Sequence, residues 1–184
     1  MNYAAIKKTD VANGPGIRVS LFVSGCTHGC KGCFNSEAWD FHYGREYTDT
    51  VEEDILRALE PEYIRGLSIL GGEPMEPQNR GTVLALLKKA RERYPEKDIW
   101  CYTGYDYEKD LLRWKAQESS EIVSGKLGEV TELLSLIDVL VDGEFIEAKK
   151  NLRLAFRGSG NQRLINLRES ERQGRVVCLP DSQE

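Results

Sequence analysis

Short apolar runs recur along this chain, and each ends abruptly in a turn that contains glycine. Residues 17–24 alternate, with Ile17, Val19, Leu21 and Val23 on one side and Arg18, Ser20, Phe22 and Ser24 on the other, which is the period of a strand. The run is entered through Asn13-Gly14-Pro15-Gly16 and stops at Gly25. Residues 67–70 run into Gly71-Gly72-Glu73-Pro74, residues 98–103 end at Gly104, and residues 139–141 end in Asp142-Gly143. A last candidate strand covers residues 163–167. Between these runs the period changes to that of helices. Thr50 and Glu53 form a capping box ahead of Val51, Ile55 and Leu59. Val83, Leu87, Ala90 and Tyr94 mark one face of a helix over residues 78–94, stopped by Pro95. A helix begins near Tyr107, and another carries Val130, Leu133, Leu134 and Ile137.

Strands that alternate with helices predict an α/β fold with a parallel sheet. In such folds ligands collect at the carboxyl edge of the strands. The four glycine turns all follow strands, so they are expected to meet at one edge. A closed eight-stranded barrel takes about 250 residues, and this chain has 184. The expectation is therefore an open, partial parallel β/α barrel, a single domain over residues 1–168 with a polar, loose tail at 169–184.

One of those turns carries Cys26-Thr27-His28-Gly29-Cys30-Lys31-Gly32-Cys33, a C-x3-C-x2-C spacing. Three thiolates on one short loop can reach three corners of a [4Fe–4S] cube, and Gly25, Gly29 and Gly32 let the backbone wrap it. No fourth cysteine lies nearby, which leaves one iron open to a small ligand. Spacing alone also admits a structural zinc with His28 or a distant cysteine as fourth ligand, although zinc sites usually come as two separated pairs. Five cysteines, three of them crowded, make a poor disulfide framework and point to a reducing, cytoplasmic setting. Cys101 sits in an apolar run and reads as a small buried hydrophobe.

The net charge of −5 argues against a general nucleic-acid binder, and no apolar run reaches the roughly 20 residues of a membrane span. Neither nucleic acid nor membrane is expected as a partner. Charge is uneven, however. Residues 149–175 hold Lys149, Lys150, Arg153, Arg157, Arg163, Arg168, Arg172 and Arg175 against Glu169 and Glu171, a local +6. That segment is either a solvated face or a docking surface.

The cysteine spacing followed by Phe34, with Gly71-Gly72-Glu73-Pro74 after the next strand, resembles the radical S-adenosylmethionine superfamily. Asn13-Gly14-Pro15-Gly16-Ile17-Arg18 and Phe22-Val23-Ser24-Gly25-Cys26 resemble its glycyl-radical-enzyme activases. The motifs around Ile99–Tyr105, Asp138–Gly143 and Arg157–Gln162 are similar to the branch that acts on anaerobic ribonucleoside-triphosphate reductase. The likeness runs in order over residues 2–166; residues 112–126 are longer than the pattern and read as a surface insertion.

The resemblance implies a partial barrel of the radical S-adenosylmethionine type, with Cys26, Cys30 and Cys33 holding a [4Fe–4S] cluster whose open iron takes S-adenosylmethionine. Gly71, Gly72 and Glu73 would meet its methionine portion, and Gly32, Cys33 and Phe34 its adenine side. Thr103, Tyr105 and Asp142 would touch the ribose or sulfonium, or serve as turn and cap residues. Reductive cleavage would yield a 5′-deoxyadenosyl radical that removes hydrogen from the Cα of a glycine in the reductase. Arg157-Gly158-Ser159 would line the way to that glycine. A flavodoxin-type carrier is implied as electron donor. Other readings are an activase of the pyruvate formate-lyase type, a small iron–sulfur electron carrier and a zinc-stabilised binding module.

Overall fold

The computed structural model describes residues 1–120 and 128–180. The sheet has seven strands: β1 (Asn2–Asp10), β2 (Ile17–Val23), β3 (Arg45–Glu46), β4 (Ile64–Gly71), β5 (Asp98–Tyr102), β6 (Val139–Asp142) and β7 (Arg163–Asn166), in the order β3-β1-β2-β4-β5-β6-β7. Helices α1 (Asp49–Leu59), α2 (Pro77–Arg93), α3 (Leu112–Ser120), α4 (Glu129–Leu136) and α5 (Leu167–Gln173) complete the chain, with a π-helical turn at Tyr107–Leu111 ahead of α3. Strands β2, β4, β5 and β6 are mutually parallel, as the alternation predicts, whereas β1, β3 and β7 join antiparallel. The all-parallel expectation therefore fails at both ends of the sheet. Residues 143–162 stay at the edge where β6 ended instead of crossing back through a long helix, so β7 returns antiparallel. The sheet does not close.

Alternation along β2 separates its two faces as expected. Val19, Leu21 and Val23 join Leu67, Ile69, Ile99, Cys101 and Leu140 against Ile55, Leu59, Leu87 and Leu133 of the helices, forming the main core. The opposite face is part polar. Ser20 pairs with Ser68, Ser68 with Trp100, and Trp100 with Val139. Trp100, Val139, Val141 and Leu164 form a smaller apolar cluster there, with Phe156 of the segment after β6 packed on it. Arg18 lies fully buried on this face. It meets Asp98 at 2.5 Å, donates to Ser68 Oγ at 2.7 Å and to the Leu67 carbonyl at 3.0 Å, and stacks over Trp100. The turn at Asn13–Gly16 wraps this side chain; a Cβ on Gly14 would stand 2.8 Å from Arg18 Cδ.

Three local expectations change. The cap of α1 is Thr48, whose Oγ1 accepts from Val51 N–H at 3.4 Å, and not Thr50. Residues 169–173, read as part of a loose tail, lie in α5, which is capped by Asn166 and closed by Gly174, while Val177 and Leu179 bond back to β7. Of the proposed insertion, residues 112–120 are helix α3, and residues 121–127 lie outside the described residues. No helix among the described residues is long and apolar enough to cross a membrane.

Candidate iron–sulfur site

The four parallel strands place the turns after β2, β4, β5 and β6 side by side at one edge, where backbone bonds join them. Gly72 N–H donates to the Val23 carbonyl at 2.7 Å and Glu73 N–H to the Gly25 carbonyl at 2.7 Å. Thr103 N–H donates to Val141 at 2.9 Å, and Gly143 N–H to Tyr105 at 3.1 Å. A Cβ on Gly72 would stand 2.5 Å from the Gly25 oxygen, so the two loops approach this closely only because that side chain is absent. Glu76, at the cap position of α2, adds a further tie: its Oε1 accepts the backbone N–H of Thr27 at 2.9 Å and the Thr27 hydroxyl at 2.5 Å. Asn79 of α2 donates to the Ser24 and Glu73 carbonyls. The cysteine loop is thus held from below by residues that spacing alone does not single out.

Cys26, Cys30 and Cys33 are free, partly buried thiols, as the loop reading requires; Cys101 is buried, as expected, and Cys178 is exposed. Burial pushes the Cys26 thiol up to about 12, with Glu73 and Glu76 opposing its ionisation and the His28 backbone N–H favouring it. Cys30 is raised by burial too. Such thiols are poor nucleophiles and ionise readily only when a cation binds them. The three line one cavity of about 120 Å³, shared with Phe34, Gly71, Gly72, Glu73 and Thr103. Among the described residues no three His, Cys, Asp or Glu side chains converge on a point where one ion could sit. The three thiols share one cavity, the arrangement that a cluster with one iron per sulfur would use.

His28 is occupied otherwise. Its Nε2 lies 3.0 Å from Glu73 Oε2 and its Nδ1 lies 3.0 Å from Glu144 Oε1. Carboxylates only accept, so both ring nitrogens must donate, and the ring is an imidazolium. Burial pulls its pKa down, but the hydrogen bonds and charge of Glu73, then of Glu144, outweigh that and hold it up at about 9. Neither nitrogen is left for a metal, which removes His28 as a fourth ligand.

Glu73 is equally engaged. Its Oε2 also accepts Gly104 N–H at 2.7 Å, and its Oε1 accepts Met75 N–H at 2.8 Å. Tyr105 packs edge-on against His28 at 4.4 Å instead of facing the cavity. Asp142 accepts Tyr107 N–H at 2.9 Å and pairs with Arg163, so it braces the β6 turn. Gly32 lies in an adjoining groove of about 450 Å³. That groove and the cavity share Cys33, Phe34, Leu70, Tyr102, Phe145 and Gln162. Arg157 and Gly158 line the groove, while Ser159 is buried and its Oγ accepts Ile146 N–H. Tyr102 escaped the sequence reading. It ends β5 on the part-polar face, and its hydroxyl is buried with no hydrogen-bond partner among the described residues.

The basic segment splits in two. Arg163 pairs with Asp142 and Glu108, Arg168 with Asp138, and Arg172 with Glu169. Asp138 precedes β6, so Arg168 lies at the amino edge of the sheet, away from the cysteines. Lys149, Lys150 and Arg153 are exposed on the segment that borders the groove.

Three thiols around a cavity at the carboxyl edge of a parallel sheet define an iron–sulfur protein of the single-cluster kind, and the family model described as a 4Fe-4S single cluster domain matches residues 12–165. The chain is 42% identical to the anaerobic ribonucleoside-triphosphate reductase-activating protein of Vibrio cholerae over 164 residues, 88% of this chain and 96% of the relative. The protein of that name from Enterobacteria phage T4 is 39% identical over 166 residues, 89% and 93% of the two chains. That of Escherichia coli (strain K12) is 38% identical over 170 residues, 91% of this chain and all of the relative. The chain belongs to the family of anaerobic ribonucleoside-triphosphate reductase-activating proteins.

Proposed function

We propose that this protein activates an anaerobic ribonucleoside-triphosphate reductase by reductive cleavage of S-adenosylmethionine at a [4Fe–4S] cluster held by Cys26, Cys30 and Cys33. Family membership supports the activating role, and the cavity supports the chemistry. The single observation that carries it is the grouping of three free thiols and the open backbone of Gly71 and Gly72 around one cavity. The residues present fit the group.

Held by Cys26, Cys30 and Cys33 and given one electron by an external donor, the cluster would supply reductive cleavage of S-adenosylmethionine to methionine and a 5′-deoxyadenosyl radical able to take hydrogen from a glycine Cα of the reductase. The protein's own residues orient and exclude. Gly71 and Gly72 present backbone groups to the amino-acid end. Glu73, with one hydrogen bond on Oε1, can accept a further one there from an ammonium. Cys33, Gly32 and Phe34 lie toward the groove and would meet the adenine; Phe34 is 83% exposed and gains cover when a ligand or partner packs on it. The sheet is open, and the groove beside Cys33 would admit a protein loop. Lys149, Lys150 and Arg153 at its border suit an acidic partner, either the reductase or a flavodoxin-type donor in a reducing cytoplasm.

Oxygen-free protein tests this reading through its iron and sulfide content, S-adenosylmethionine cleavage on reduction, and a glycyl-radical signal on added reductase. Each of C26S, C30S and C33S is expected to lose the cluster and all cleavage. Zinc in the loop, or full iron content in those variants, would overturn it.

A further inference from the structure

Four strand-end loops meet around one side chain in this structure, and that side chain also lines the cavity of the three thiols. His28 sits in the middle of the cysteine loop with its ring 8% exposed. One nitrogen holds Glu73 of the loop after β4, and the other holds Glu144 of the loop after β6. The oxygen of Glu73 that meets the ring also takes Gly104 N–H of the loop after β5. Gly104 is shaped to the ring: a Cβ there would stand 2.6 Å from His28 Nε2. Tyr105 closes over the ring edge-on, Trp114 of α3 packs on Tyr105 at 4.7 Å, and the Arg80 guanidinium covers Trp114 at 4.4 Å. Arg80 in turn donates to the Met75 carbonyl at 2.6 Å, which closes the ring of contacts on the loop after β4.

We propose that His28 is a positioning residue that fixes the Gly71–Glu73 backbone against the cysteine loop, so that both ends of the adenosylmethionine site stand in register before either ligand arrives. This rests on the reading of the cavity given above. Two features support positioning over simple packing. The ring makes two directed bonds to carboxylates from different loops, which an apolar side chain of equal volume cannot replace. One of those carboxylates, Glu73, belongs to the Gly-Gly-Glu element and organises it through two backbone N–H groups, Met75 and Gly104. Loss of the ring leaves Glu73 buried and short of a donor, free to turn and to release Gly104.

The test compares wild type with H28L and H28Q. Amide hydrogen exchange of the cluster-free protein reads the clamp directly. In H28L the Gly104 amide is expected to exchange at least about tenfold faster, while Leu67 and Ile69 in β4 keep their rates, the mark of a local opening. H28Q can still donate to Glu73 and is expected to bring Gly104 back to within a few-fold of wild type. In cluster-loaded protein, H28L is expected to keep its iron but to raise the KM for S-adenosylmethionine by about tenfold, with a smaller change in kcat. Its reduced-cluster EPR spectrum would need correspondingly more S-adenosylmethionine to shift. Unchanged Gly104 exchange in H28L, or acceleration spread evenly through β4, overturns the proposal. So does H28Q behaving as H28L. Wild-type protein that holds no cluster would instead sink the functional reading and leave the exchange result to judge His28 by itself.

Discussion

The loop after β2 and the segment after β6 both border the site, yet they are built in opposite ways. Residues 24–33 are tied down: Ser24 by Asn79, Gly25 by Ala38 and Glu73, Thr27 by Glu76, and His28 by two carboxylates. Residues 144–158 are tied at their start, where Glu144 meets His28; farther on, Phe156 adopts a positive φ of 58° and packs edge-on against Trp100. Around that anchor Leu152 is 90% exposed and Lys149, Lys150 and Arg153 face solvent. The contrast separates two tasks. Groups that hold a reactive centre gain from pre-organisation, because a displacement of about 1 Å costs on the order of 100-fold in rate. Groups that recognise a second protein gain from exposure and adaptable cover.

The sharpest way to break that contrast is to add one methyl group to the rigid loop. G72A places a Cβ against the Gly25 carbonyl and forces the two loops apart. The expected result is a fall in S-adenosylmethionine cleavage on the order of 100-fold with a melting temperature changed by only a few degrees. Cleavage near wild type would show that the close approach of these loops is incidental.

A smaller effect is expected on the exposed segment. K150E with R153E reverses two charges beside the groove while touching nothing that holds the cysteines. Cleavage without reductase should stay as in wild type, and activation of the reductase should slow by about tenfold at low salt, with the difference fading as salt rises. Equal slowing of both reactions would place these cations in the site itself rather than at its rim.

Sequence periodicity showed the four parallel strands and the convergence of their turns because each run is apolar, buried and bounded by glycine. It missed β1 because only Tyr3 and Asp10 of that strand are buried and two register shifts interrupt its pairing. The antiparallel turn of β7 was hidden for a different reason: nothing in residues 143–162 marks which edge the chain returns from. At the site, spacing picked out the cysteines and glycines, since their chemistry is local. The roles of His28, Glu76 and Tyr102 depend on partners between 45 and 116 positions away, or on the lack of one, and no local pattern encodes that.

The same lesson governs the basic segment, which is one block in sequence and two regions in space. Arg168 and Arg172 answer acidic neighbours, and Arg175 follows α5, which begins at the amino edge, so their charge is spent on local structure. Reversal of Arg168, Arg172 and Arg175 to glutamate sets like charges beside Asp138 and Glu169. Exposed pairs contribute little in water, so a drop in melting temperature of only a few degrees is expected. Activation of the reductase should remain within about twofold of wild type at every salt concentration, because Arg168 and the start of α5 stand by Asp138 at the amino edge of the sheet and the cysteines at its carboxyl edge. Activation that slows as much as in the Lys150 and Arg153 variant would mean that the partner wraps around α5, and the division of the segment into a structural half and a docking half would fall.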